Sequence, residues 1–277
     1  MQLETRRIAV HGVALHVVLH GWQSTGPVVL MVHGFPDDHT VWREQVPALV
    51  QAGYRVVTPD TRGCGDSDIA PHKSGYHRDI LVADLVAVLD ALEVPRAHLV
   101  AHDWGAAQGW LLAARHPQRI ASYVALSVGH LYCYTHAGLG QKLAGWYTLL
   151  FQFGGLSRWL LERNDWRLFQ SIFSYPAEWP HIRPRLARPG RLQAGMNYYA
   201  GNLDLLWAAQ QTAIEVPVLA LWSDGDVFLV ERQMQESGRF CTRGFRYQRV
   251  DGANHWLQLD KPAQVNRLLL DFLAAHP

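Results

Sequence analysis

Leu99-Val-Ala-His-Asp-Trp-Gly-Ala106 decides the fold. His98-Leu-Val-Ala101 is a short apolar run of the kind that forms a buried strand, and Ala106 to Arg115 carries a helical pattern. Only a tight turn of small-x-nucleophile-x-small form separates them. This is the geometry of a nucleophile elbow, in which a sharp strand-to-helix turn lifts one side chain above a sheet. Ala101 and Gly105 are the small flanks such a turn needs, and Asp103 occupies the lifted position where a serine is usual. The exchange sets the chemistry. A serine ether formed at an sp³ carbon is inert, whereas a carboxylate attacks such a carbon without a base and leaves an ester that water can cleave. The competing reading makes Asp103 an ordinary cap for the helix that follows.

Working outward, strands and helices alternate. Ile8 to Val18 reads as two strands around a His11-Gly12 turn, and Val28–Val32 and Arg55–Thr58 as strands buried on both faces. Helical patterns cover Trp42 to Ala52 and Ile80 to Leu92, and Ser122–Leu126 is a further strand. The rhythm breaks from Leu131 to Ala213, where aromatics are dense and no strand is credible. It resumes with strands at Val216–Trp222 and Arg246–Val250, then a helix after Asp260-Lys-Pro262 with Val265, Leu268, Leu269, Phe272 and Leu273 on one face. The expected architecture is therefore α/β: a mostly parallel sheet flanked by helices, with a helical insertion after the sixth strand. The expected core comprises residues 1–130 and 214–277, and the insertion 131–213.

Among the 277 residues, 25 Lys and Arg face 24 Asp and Glu, a net +1, which argues against a nucleic-acid partner. The 49% hydrophobic and 18% charged content suits a large core and excludes disorder. Cys64, Cys133 and Cys241 are odd in number and widely spaced, so neither a disulfide framework nor a zinc site is expected, and a reducing compartment fits. Met1-Gln-Leu-Glu-Thr-Arg-Arg leads into alternating residues, and no run of about 18 apolar residues follows. The expectation is a cytoplasmic monomer or homodimer with no signal peptide, membrane partner, metal or cofactor.

An alkylated Asp103 needs a second step, with a base and an acid to orient it. His255, in Val250-Asp-Gly-Ala-Asn-His-Trp256, follows a strand and precedes the last helix. Asp226, in Leu221-Trp-Ser-Asp-Gly-Asp-Val227, ends the preceding strand, with Asp224 its rival. Nucleophile, acid and histidine in that order suit a base that deprotonates water and an acid that holds its tautomer. The backbone N–H groups of Phe35, in His33-Gly-Phe-Pro36, and of Trp104 are placed to form an oxyanion hole. His33 reads as a structural turn residue. The Gly-rich Asp60–Asp68 loop lacks the Lys-Ser/Thr of a phosphate cradle and reads as structural too.

Together His33-Gly-Phe-Pro36, His102-Asp-Trp-Gly105 and Gly252-Ala-Asn-His-Trp-Leu-Gln258 resemble the soluble epoxide hydrolases of the α/β-hydrolase superfamily. The resemblance covers nearly the whole chain and implies a cap whose two tyrosines hold the epoxide oxygen and protonate it. Trp146-Tyr-Thr-Leu-Leu-Phe-Gln152 matches the first tyrosine motif at Tyr147. Asn197-Tyr-Tyr-Ala-Gly-Asn202 matches the second at Tyr199, with Tyr198 its rival and Ala200 in place of the usual arginine. The implied reaction opens a small apolar epoxide to a diol, as in detoxification, in a pocket formed by Trp104, Phe35, Tyr198, Phe151 and Trp256. A haloalkane dehalogenase would share Asp103, His255 and Asp226 but needs halide-binding N–H donors, and Phe35 stands where many have an asparagine. A fluoroacetate dehalogenase needs arginines beside the nucleophile, which Trp104-Gly105-Ala106 does not supply. A non-catalytic binding relative would have no use for the intact Asp103, Asp226 and His255.

Overall fold

The computed structural model describes residues 3–173, 175–207 and 210–277. Its framework is an eight-stranded sheet in the order β1-β2-β4-β3-β5-β6-β7-β8. The strands are β1 (Leu3–Val10), β2 (Val13–His20), β3 (Val28–Val32), β4 (Arg55–Pro59), β5 (Ala97–His102), β6 (Ile120–Leu126), β7 (Val218–Gly225) and β8 (Phe245–Asn254). β1 and β2 form a hairpin through Gly12, whose positive φ of 78° the tight turn requires. β2 pairs antiparallel with β4, and every later pairing is parallel. The central strands carry continuous apolar runs because helices cover both faces; all five residues of β3 and all six of β5 are buried.

The core helices are α1 (Val46–Gln51), α2 (Arg78–Ala91) and α3 (Trp104–Arg115). The helix expected over Trp42 to Ala52 is split into a 3-10 turn at His39–Trp42 and α1. Pro47 explains the break: it has no N–H to bond back to Arg43, so it is tolerated only in the first turn of a helix. Between β6 and β7 lies the helical cap: α4 (Leu131–His136), α5 (Leu139–Ala144), α6 (Tyr147–Leu150), α7 (Gly155–Ile172), α8 (Trp179–Leu186) and α9 (Arg191–Ala200). Helix α7 bends at residues 163–166, where Asn164, Asp165 and Trp166 all have positive φ. Arginine–carboxylate pairs tie cap to core. Arg43 grips Glu178 with both terminal nitrogens, at 2.6 and 3.1 Å, Arg185 reaches Asp38 at 2.9 Å, and Arg188 reaches Asp66 at 2.7 Å. The chain closes with α10 (Glu231–Gln235), α11 (Leu257–Asp260) and α12 (Pro262–Ala274). Among the described residues no helix is long and apolar enough to cross a membrane.

Candidate active site

The turn between β5 and α3 has Asp103 at φ 52° and ψ −123°, outside the regions open to most L-residues. Two glycines make room for it. A Cβ on Gly34 would lie 2.3 Å from Asp103 Oδ1, and one on Gly105 would lie 2.2 Å from the Val32 carbonyl oxygen. The Asp103 side chain makes no helix-capping hydrogen bond, so the capping role considered above is not the one it plays. Instead its carboxylate accepts the Phe35 N–H at 2.8 Å and is also bonded by the Trp104 amide. The two amides read from the sequence as an oxyanion hole therefore converge on this one group.

Across from Asp103 stands His255, its side chain almost fully buried. Its Nδ1 lies 2.7 Å from Asp226 Oδ2, and its Nε2 lies 3.6 Å from Asp103 Oδ2. The other Asp226 oxygen accepts the Phe228 and Leu229 N–H groups at 2.9 and 3.1 Å, which locks the carboxylate against the ring. Asp224 is used elsewhere: it accepts the Gly252 N–H at 2.7 Å and faces Arg249. The loop holding His255 is pinned through its backbone, since its carbonyl accepts from Ser127 Oγ at 2.9 Å and bonds His102 Nε2 at 3.0 Å.

Burial by itself would strip the proton from His255, but the charges of Asp226 and Asp103 outweigh it and push the imidazole up to about 10. Burial likewise favours neutral Asp103, and here His255 wins and holds the carboxyl below its usual range. The surroundings of His255 thus favour its protonated form. Neighbouring His102 falls to about 3, through burial and the positive charge of His255, and stays neutral.

Asp103 and Trp104 form one wall of a cavity of roughly 680 Å³, counting its open mouth. Tyr147 on α6 and Tyr199 on α9 line the same cavity from the cap, their rings 5.9 Å apart. Burial raises both phenols well above 10. The Tyr134 hydroxyl adds to the effect on Tyr147, and Asp103 to both. Tyr198 does not share their position. Consecutive residues on a helix point about 100° apart, and Tyr198 turns toward the core, where its hydroxyl donates to the Arg62 carbonyl at 2.7 Å and lies 2.9 Å from the Thr61 hydroxyl. Phe35, Phe151 and Trp256, also expected in the pocket, form the layer behind it. The Phe35 ring packs edge-on against Phe151 and Tyr199, so tightly over Gly195 that a Cβ there would lie 2.0 Å from the ring. Trp256 is held by its indole N–H, 2.9 Å from Asp37 Oδ2, and stacks on Tyr175.

Two groups near the site escape a reading of the sequence. Tyr134 on α4 lines the cavity and is pushed up to about 12 by burial and by the charge of Asp103. Asp37 is buried near Asp103, and desolvation raises it to about 8 despite the Trp256 bond. Neither belongs to a motif; Asp37 lies only one residue beyond His33-Gly-Phe-Pro36, which was the available signal. Among the described residues one cluster has metal-ligand chemistry, His16, His39 and Asp60. Each Asp60 oxygen already takes two donors, from His39 N and Nδ1 and from His16 Nδ1 and Asp66 N, so the cluster serves as a hydrogen-bonded brace beneath the Gly-rich loop.

The family model for the alpha/beta hydrolase fold matches residues 27–262. An epoxide hydrolase A of Mycobacterium tuberculosis is 31% identical, over 97% of this chain and 96% of its own length. Epoxide hydrolase 3 of Xenopus tropicalis is 30% identical, over 96% and 76%. The chain belongs to the epoxide hydrolases of the α/β-hydrolase superfamily. The crystal structure of an epoxide hydrolase from Vigna radiata superposes with a TM-score of 0.82 at 28% identity, covering 99% of this chain and 98% of that one. Within this family, Asp103 stands at the elbow, and the cap supplies the roof of the cavity above it.

Proposed function

We propose that this chain hydrolyses an apolar epoxide to a vicinal diol through an ester on Asp103. The observation that carries the reading is the pair of buried phenols, Tyr147 and Tyr199, facing a carboxylate nucleophile across one largely apolar cavity. Asp103 attacks a ring carbon while a phenol protonates the departing oxygen. That alkoxide is tethered and strongly basic, so it takes a proton even from a phenol whose own anion burial disfavours.

The charge pattern times the second step. While Asp103 is a carboxylate, His255 holds its proton and cannot act as a base. Alkylation neutralises Asp103 and removes one of the two negative charges that hold the imidazolium, so once the ester exists His255 gives up its proton to the phenolate that ring opening left behind. It then takes a proton from water, which attacks the Asp103 carbonyl carbon, while the Phe35 and Trp104 amides hold the developing oxyanion. As the tetrahedral intermediate collapses, the imidazolium returns its proton to the leaving alkoxide. The water oxygen stays on Asp103, whose new carboxyl returns its proton to His255, and the diol departs.

The test is the intact mass of His255→Gln incubated with epoxides and with haloalkanes. The expected result is an adduct equal to the whole epoxide, absent from Asp103→Asn. An adduct of the alkyl group without halogen would make the chain a dehalogenase instead, and no adduct from either set would remove Asp103 as the nucleophile.

A further inference from the structure

One edge of the cap is apolar where it meets water. Leu139, Leu143, Trp146, Leu149, Phe153 and Leu156 recur every third or fourth residue through α5, α6, the start of α7 and the short turns that join them, and each is between 53% and 71% exposed. Trp159, 54% exposed, extends the stripe, with the Arg163 guanidinium 4.5 Å over its ring. Single exposed apolar residues are ordinary, but six large ones within eighteen residues of chain are the raw material of a binding surface.

Charge selects the occupant. From Leu131 to Leu206 the chain holds eight Lys and Arg against four Asp and Glu, a net +4, while the remaining residues hold 17 against 20, a net −3. Between Leu139 and Arg167 the exposed Lys142, Arg158, Arg163 and Arg167 outnumber the exposed Glu162 and Asp165 by two. A second copy would bring one basic cap against another. An anionic surface with an apolar interior fits better, and exposed tryptophan, leucine and phenylalanine flanked by Lys and Arg is what a helix lying in a lipid interface presents.

The stripe also reaches the active-site cavity. A second cavity, opening beside Leu149, Trp207 and Lys142, shares Tyr134 and Thr148 with the cavity above Asp103. We propose that this cap face docks on anionic lipid bilayers and that lipophilic epoxides pass from the bilayer through this opening to Asp103. Such docking needs no spanning helix, so it is compatible with the lack of a long apolar run in the sequence. Docking stands by itself; the delivery of epoxides rests on the reaction proposed above.

The test uses the whole protein with vesicles of phosphatidylcholine alone or mixed with phosphatidylglycerol. Binding is read by flotation and by a blue shift of tryptophan emission. Binding to the mixed vesicles is expected, weakening by roughly fivefold for each of Lys142→Gln and Arg163→Gln. Leu143→Gln/Phe153→Gln/Leu156→Gln should abolish it, with turnover of water-soluble styrene oxide unchanged and turnover of a long-chain epoxide dissolved in the vesicles reduced. No binding to mixed vesicles would overturn docking, whatever the turnover of styrene oxide. Binding together with equal turnover of the vesicle-borne epoxide by both proteins would overturn delivery alone. Dimerisation that the triple variant loses, without vesicle binding, would assign the face to a second copy.

Discussion

Replacing Asp226 with Asn tests the base through its tautomer. The Phe228 and Leu229 amides approach one Asp226 oxygen at 2.9 and 3.1 Å, so in Asp226→Asn the side-chain carbonyl must stay there to accept them. The NH2 group then faces His255 Nδ1, 2.7 Å away in the parent site. A donor at that place makes Nδ1 an acceptor and puts the ring proton on Nε2, the atom that looks toward Asp103 across 3.6 Å. Nε2 then has no lone pair to take a proton from water. A wrong-tautomer base of this kind costs roughly 10⁴-fold in turnover, about 5.5 kcal/mol of barrier. Alkylation needs no base, so it should survive. Stopped-flow and intact-mass measurements on one sample should show a rapid burst of covalent adduct followed by nearly arrested release. Asp224→Asn is the control, since Asp224 bonds the Gly252 amide and faces Arg249 rather than His255. Turnover of Asp226→Asn within tenfold of the parent, or equal losses in both steps, would refute the argument.

Gly34→Ala should leave the fold intact by circular dichroism yet lower alkylation on the order of 10²-fold, because the new Cβ, 2.3 Å from Oδ1, must push the nucleophile out of line. Folded His255 binds its proton more tightly than the unfolded value of 6.5, so its contribution is whole below pH 6.5 and is lost as pH rises toward 10. Each tenfold change in proton affinity is worth about 1.4 kcal/mol. Thermal melts should therefore show the parent losing stability between pH 7 and 10 relative to His255→Gln; parallel curves would contradict the charge pattern. Arg185→Ala leaves buried Asp38 without its cation, 2.9 Å away, and should cost on the order of 1–3 kcal/mol in urea unfolding. An unchanged midpoint would show that this tether does not hold the cap.

The elements easiest to read from the chain are those whose cause is local. Buried parallel strands must be apolar on both faces, so β3 and β5 announce themselves, and the elbow needs small neighbours on either side of Asp103, so its spacing is legible too. What escapes is whatever a third element decides. Tyr198 and Tyr199 are equally aromatic in the chain, and only the partners Thr61 and Arg62, on a loop far away in sequence, turn one of them from the cavity. Trp256 and Phe35 have the composition of a pocket lining, yet a hydrogen bond to Asp37 and close packing over Gly195 place them behind it. Tyr134 follows from where α4 emerges from β6, a matter of topology rather than motif. The apolar stripe is visible as spacing, but spacing alone cannot separate a face turned inward from one turned to water.

The turn at Asp103 holds itself without its side chain. Its N–H reaches the Leu126 carbonyl at 3.4 Å, its own carbonyl accepts the Ala107 N–H at 3.0 Å, and the clearance comes from Gly34 and Gly105. The scaffold is therefore indifferent to which short polar group stands at this position. Exchanging the carboxylate for a hydroxyl would leave the same imidazole and the same two amides waiting for an acyl carbon in place of a strained ether. The kind of bond this architecture breaks is written in one replaceable side chain, while the glycines around it fix where that side chain can stand.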